Sequence, residues 1–268
     1  MNGLGTALRV ELRKTTTTRM WWILLAVMVV YVAAIAAFIA FSFTVAPPAD
    51  SGAPALEAMP NARETLYTLA MPLAYVFPVL VGTLAITTEY RYKTLTTTFL
   101  GQPRRATVLS AKLLVATLLG LLFGLAGILA GVTGVAPVLA VTGNDTGLTG
   151  DLMVTMLKVI LGLGLWAAIG LGVGTLVRNQ VAAIVVVVAF SQLVEPIARF
   201  GLAAFESTRE VSKFLPGAAG DAMAGASLFT GGNADALLQW WQGALVLAGY
   251  AAVLLVIGMV TTSRRDVA

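Results

Sequence analysis

The chain has 268 residues, of which 58% are hydrophobic and 11% are charged, and its mean hydropathy is +0.89. Soluble domains carry about 25% charged residues, so this composition excludes an ordinary water-soluble domain and predicts an integral membrane protein. The absence of cysteine and histidine excludes thiol chemistry, disulfides and the commonest transition-metal ligand.

Six apolar segments have the length and composition of membrane-spanning helices, since a bilayer core about 30 Å thick needs roughly 20 apolar residues. The chain is therefore predicted to be a single all-α membrane domain over 1–268. The predicted spans are 21–45, 66–87, 108–132, 152–177, 181–195 and 244–262. An alternative is that 1–46 is a cleaved signal peptide, but its 25-residue apolar run exceeds the 7–15 residues of such peptides.

The charges divide unequally between the two sides that six spans define. One side carries twelve basic residues against three acidic ones, a net charge of +9, and the other carries five against ten, a net of −5. Because Lys and Arg accumulate in cytoplasmic loops, both termini are predicted to be cytoplasmic. The loop at 88–107 is then cytoplasmic, and the external loops are 46–65, 133–151 and 196–241. The overall charge of +4 follows this topology, so we predict contact with membrane lipids and no nucleic-acid partner.

Two cytoplasmic segments have helical patterns. The first places leucines four residues apart and predicts an interfacial helix against the inner leaflet, with a solvated basic tail as the alternative. Its residues are Leu4, Leu8 and Leu12 on the apolar stripe, with Arg9, Arg13 and Lys14 largely off it. In the loop at 88–107, Glu89 and Lys93 stand four apart and predict a helical ion pair, although anchoring of two helix ends explains the basic residues equally well.

Two further features concern packing and the external side. Glycine pairs four residues apart predict close helix contacts, at Gly120 and Gly124, at Gly127 and Gly131, and at Gly170 and Gly174. The 196–241 segment is long but not strongly polar, and its apolar stretches are too short to span. It is predicted to form short helices that re-enter the outer leaflet, with an ordinary folded loop as the alternative.

Enzymatic functions find no support in the sequence. There is no phosphate-binding loop of the G-x-x-x-x-G-K-[ST] type, so the chain is not an ATPase by itself. Paired intramembrane aspartates and serine-based dyads are also missing, so no catalytic residue is predicted. Without histidine, the usual metal-binding spacings do not occur, and no metal site is predicted.

The order of these features resembles the permeases of type 2 ABC exporters, of the compact bacterial kind. The resemblance covers nearly the whole chain. It rests on the basic start "ELRKTTTTRMWW", the loop "TTEYRYKTLTTTFLGQPRRATVLSAKL" after the second span, the six spans, and "FLPGAAGDAM" between the last two.

This resemblance implies a bacterial plasma-membrane location and an export mechanism. Two permeases, either two copies or a copy and a paralogue, would pair with two ABC ATP-binding subunits that bind ATP and Mg. The loop after the second span would be a coupling helix seated in the ATPase, with Leu95 and Phe99 inserting. The implied coupling residues are Glu89, Tyr90, Arg91, Lys93, Thr94, Leu95, Phe99, Arg104 and Arg105. The implied external gate is Phe214, Leu215, Pro216 and Gly217.

The near absence of charge in the spans favours a hydrophobic or amphipathic cargo. Two other functions are weighed against an ATP-driven exporter. One is an ATP-independent transporter or channel, and the other is a membrane anchor or sensor without transport. Co-purification of an ATP-binding subunit would distinguish them.

Overall fold

Helices form all the regular secondary structure in the part of the chain that the computed structural model describes, which is residues 3–44, 62–95, 98, 104–227 and 237–263. Six of these helices are long and apolar enough to cross a membrane, which confirms the predicted number of spans. Spans one to six are Met20–Thr44, Thr65–Arg91, Arg105–Val141, Gly150–Leu176, Gln180–Ala203 and Trp240–Thr261. The helix Gly3–Thr17 precedes them, and the helices Glu206–Ser212 and Pro216–Ala224 lie between spans five and six.

Spans two and four form the centre of the bundle. In the apolar stretch of span two 67% of the residues are buried, whereas in span one and in span five the buried share is 22%. Span four packs against spans two, three and six, whereas span one packs mainly on span three and span five mainly on span two. Spans one and five therefore present most of their apolar surface outward.

Glycines bring the central helices into close contact, as their spacing predicts. A Cβ on Gly120 or Gly124 would clash with the backbone of span four. Gly170 lies in the same way against the carbonyl of Val79 in span two, and Gly174 lies against Thr83. The Thr83 hydroxyl also donates a hydrogen bond across this contact to the carbonyl of Gly170, at 2.9 Å. Spans two and four are thus joined backbone to backbone.

The helix of span two is interrupted close to its two prolines, Pro72 and Pro78. Its helix is divided at Leu69 and Tyr75, each three residues before a proline. Pro72 and Pro78 have no N–H to donate to the carbonyl four residues earlier, which locally disrupts the helical ladder.

Two spans end well beyond their predicted ends. Span three continues past 132 to Val141 through Pro137, so part of the predicted external loop 133–151 is helical. Span five does not end at Glu195 but continues to Ala203 through a π-helical turn at Phe190–Val194. Pro196 lacks an N–H and clashes in a regular helix with the carbonyl four residues earlier, and the wider turn just before it accommodates this residue.

Candidate coupling site

A group of four charged residues, three of them buried, joins the N-terminal helix to spans two and three. Lys112, at the start of span three, has a side chain that is only 1% exposed. Its ammonium donates hydrogen bonds to Glu11 Oε2 and to Glu89 Oε1, both at 2.7 Å, and to the carbonyl of Ala85 at 3.3 Å. Glu11 belongs to the N-terminal helix and Glu89 to the end of span two, so one lysine links three segments of the chain.

Lys14 completes the group from its outer side. Its ammonium donates to Glu89 Oε1 at 2.7 Å, to Glu11 Oε1 at 2.9 Å and to the hydroxyl of Thr98 at 3.1 Å. Burial lowers the pKa of Lys14, but its hydrogen bonds to Glu89 and Glu11 outweigh this and raise the pKa above its usual value. Glu11, Lys14, Glu89 and Lys112 are hereafter called the ion cluster.

The ion cluster has no net charge, since two lysines face two glutamates. Charges withdrawn from water are tolerated when they are paired and hydrogen-bonded, and removing one partner leaves an uncompensated buried charge. The contact with Thr98 extends the cluster into the segment between spans two and three. The ion cluster therefore links that segment to the N-terminal helix and to spans two and three.

The predicted ion pair between Glu89 and Lys93 is wrong. Helix Val76–Arg91 ends before Lys93, whose backbone adopts a left-handed conformation with φ of 56°. Glu89 faces inward and is 6% exposed, so it contacts the two lysines of the ion cluster and not the solvent. Helical spacing alone pairs Glu89 with Lys93, four residues away. It could not reveal the actual partners, Lys14 and Lys112, which are 75 and 23 residues away.

The other predicted coupling residues divide into an exposed and a buried set. The exposed set is Arg91, Lys93, Thr94, Arg104 and Arg105, and Arg91 also donates to the Gln180 side chain in span five at 3.3 Å. Tyr90 is half-buried. Leu95 is 2% exposed, so it packs within its own chain and is not free to insert into a partner. Phe99 lies outside the described residues.

The N-terminal helix forms as predicted, with its leucine stripe turned away from the bundle. Leu4 and Leu12 are 41% and 45% exposed, and Leu8 is half-buried. Arg9 and Arg13 are also exposed. Sequence reasoning missed the role of Glu11, although an acidic residue in a basic segment was the available signal.

An apolar cavity of about 260 Å³ lies beside the ion cluster, between the loop and the adjacent ends of spans three, four and six. Leu95, Tyr90 and Lys112 form part of its wall. The loop is therefore anchored to the bundle on one side by charge and on the other by apolar contacts.

The predicted external gate residues occupy different positions. Phe214 is 51% exposed, and its carbonyl accepts a hydrogen bond from Tyr250 in span six at 3.2 Å. Leu215 precedes the helix Pro216–Ala224, all of whose residues, including Pro216 and Gly217, are buried. Two short helices lie between spans five and six, and their re-entrance into the outer leaflet stays a prediction.

A comparison with known protein families covers the same residues. A family model described as "ABC-2 family transporter protein" matches residues 6–267, which include the ion cluster and all six spans. No curated protein matches the chain significantly.

Proposed function

The chain belongs to the ABC-2 transporter family and is a multi-pass membrane subunit of an ABC transporter, and we propose that it is the permease of an ATP-driven exporter. Family membership implies association with ABC ATP-binding subunits. In this proposal two such subunits, with ATP and Mg bound to them, dock on the side of the ion cluster, and both chain termini are cytoplasmic.

The ion cluster is the observation that carries the proposal. A coupling device must convert a movement at the surface of the protein into a movement of membrane helices. The exposed basic residues of the loop, Arg91 and Lys93 among them, are available to a partner. Directly behind them, Glu89 and Lys112 tie the loop region to spans two and three. The partner thus contacts the exposed residues, and the buried cluster passes the force on.

A second permease copy, or a paralogue, would complete the translocation pathway. Span five packs mainly on span two within the chain, and its outward apolar residues include Val181, Val185 and Leu193 at 66%, 58% and 59% exposure. We place the dimer contact and the pathway on the face formed by spans two and five. The apolar character of this face favours a hydrophobic or amphipathic cargo moving outward.

Co-purification with the cognate ATP-binding subunit tests the proposal. We expect that subunit to be retained by the wild-type permease and lost from a permease carrying Arg91→Glu and Lys93→Glu. Both changes affect exposed side chains and should leave the fold intact, as size-exclusion chromatography would show.

The matched control is Arg209→Glu, an exposed charge reversal in the segment between spans five and six. It should leave the complex unchanged. Transport by the permease without any ATP-binding subunit, or equal retention by all three proteins, would contradict the proposed coupling.

A further inference from the structure

A second polar site lies in the opposite half of the bundle. A cavity of about 100 Å³ is lined by spans two, four and five and by the buried helix Pro216–Ala224. Tyr75 of span two lines it, fourteen residues and about 21 Å of helix away from Glu89. The cavity is therefore separate from the ion cluster.

The π-helical turn in span five brings two charged residues to this cavity. Glu195 follows the turn Phe190–Val194 directly, and Arg199 lies one helical turn further on. Both are buried, at 1% and 8% exposure. The Tyr75 hydroxyl donates to the Ser191 carbonyl at 2.6 Å, which fixes the wide turn against span two.

The charges at the cavity do not balance. Arg199 donates to Asp221 Oδ2 at 2.6 Å and to the Ser227 hydroxyl at 3.1 Å, so this arginine and this aspartate compensate each other. Glu195 Oε1 accepts a hydrogen bond from the Gly217 N–H. Glu195 Oε2 is buried and has no hydrogen-bond partner among the described residues. Two carboxylates, those of Glu195 and Asp221, therefore face the single guanidinium of Arg199, and a buried carboxylate is stabilised as an ion when a further cation joins it.

A buried hydrogen-bond donor lies on the same face of the helix Pro216–Ala224. Trp166 is 3% exposed, and its indole N–H has no partner among the described residues. A Cβ on Gly220 would stand 3.1 Å from this nitrogen, and a Cβ on Gly217 would stand 3.1 Å from Glu195 Oε2. Residues three apart on a helix have Cβ positions about 5–6 Å apart. The acceptor Glu195 Oε2 thus lies beside Gly217, and the donor N–H of Trp166 lies beside Gly220, on one face of the helix.

The chemistry of the cavity selects its ligand. A neutral hydroxyl would satisfy hydrogen bonds but leave the excess charge. Among the described residues no group of three carboxylate or other metal-ligating side chains exists to hold a metal ion. An ammonium group supplies both the positive charge and the N–H donors that Glu195 Oε2 lacks, and aromatic walls such as those of Tyr75 and Trp166 favour organic cations.

We propose that this cavity binds an organic ammonium group at Glu195, with an oxygen of the same ligand accepting from the Trp166 N–H. The ligand class is an amino alcohol or a larger amphiphile with such a head group. Gln192, which is exposed, and Pro196, which is half-buried, also line the cavity, so it is accessible from the face of spans two and five. That this ligand is the exported cargo rests on the proposed function, whereas the binding itself does not.

Binding of radiolabelled ethanolammonium to the full-length protein in phosphatidylcholine nanodiscs, measured without ATP, tests this site. We expect saturable binding that excess ethylene glycol or matched potassium chloride does not displace. Glu195→Gln should raise the Kd at least tenfold, because it removes the charge and keeps the shape. The control Glu210→Gln removes the same charge from an exposed side chain and should leave the Kd unchanged within about twofold.

The variant Trp166→Phe provides a second test, which remains informative even if Glu195→Gln does not fold. It should weaken the binding of ethanolammonium several-fold. It should leave unchanged the binding of ethylammonium, which has no oxygen, as measured by competition. Displacement by potassium, equal binding by Glu195→Gln, or an equal effect of Trp166→Phe on both ligands would overturn the proposal. Because no ATP-binding subunit is present, failure here would leave the coupling proposal standing, and loss of coupling would not abolish this binding.

Discussion

Replacing Lys112 by methionine should destabilise the protein more than the same replacement of Lys14 or Lys93. Methionine retains the length and apolar character of the side chain but removes the ammonium. Glu11 and Glu89 would then face each other with only Lys14 between them. Loss of one partner from a buried ionic group costs about 3–5 kcal/mol, and the 1% exposure of the Lys112 side chain places it fully in that class.

The same substitution at Lys14 and at Lys93 provides the comparison for Lys112→Met. The Lys14 side chain is 36% exposed, so solvent screens its contacts, and Lys14→Met should cost about 1 kcal/mol. Lys93 is exposed and outside the ion cluster, and Lys93→Met should have no measurable effect. The three substitutions are chemically identical and differ only in the environment of the ammonium.

The assay is thermal unfolding of each variant in the same detergent, followed by intrinsic fluorescence. For a domain of 150–250 residues, 1 kcal/mol corresponds to about 2–4 °C in Tm, so Lys112→Met should lower Tm by roughly 6–20 °C. The double variant Glu11→Gln with Lys112→Met should lose less than the two single effects together, because the residues share one network. A Tm decrease for Lys112→Met no larger than that for Lys93→Met would refute the reasoning.

Three other substitutions test the glycine packing, the buried pair of Arg199 and the start of span five. Gly170→Ala would press a methyl group against the backbone of span two and should cost about 1–3 kcal/mol, whereas Gly249→Ala meets nothing within 4 Å and should be neutral or slightly stabilising in thermal unfolding. Arg199→Met would leave its buried carboxylate partner unpaired and should cost about 3–5 kcal/mol; a Tm no lower than that of Glu210→Gln, which removes an exposed pair, would contradict this. Asn179→Ala removes the side chain that caps span five, a loss of about 1 kcal/mol, and should accelerate amide exchange in its first turn only.

Hydropathy sufficed to predict the number of spans because each span is a local run of apolar residues. It did not suffice for their ends. Span three passes through Pro137, and span five passes through Pro196 after a π-helical turn. The residue before a proline is ordinarily a helix boundary, and only the surrounding bundle shows that Glu195 is buried and accommodated within a continuing helix.

The ion cluster was beyond local patterns for a different reason. Glu89 is four residues from Lys93 and 23 residues from Lys112, and a periodicity argument registers only the nearer lysine. The true partner depends on how spans two and three pack. The sequence located the acidic residue and the basic segment correctly, but the pairing is a property of the tertiary structure.

The two polar sites are connected through one rigid unit. Span two carries Glu89 at one end and Tyr75 in its other half, and the close contacts of Gly170 and the hydrogen bond of Thr83 hold it against span four. Side-chain hydrogen bonds from Tyr75, within span two, and from Arg91, at its end, join span two to span five, whose outer surface makes few contacts with the described part of the chain. Under the proposed coupling, span five is the element that shifts against the pair of spans two and four, because single side-chain hydrogen bonds join it to span two whereas glycine packing joins spans two and four backbone to backbone. The cavity containing Glu195 lies at that boundary, so in this proposal a displacement at the ion cluster alters the cavity without disturbing the glycine-packed centre.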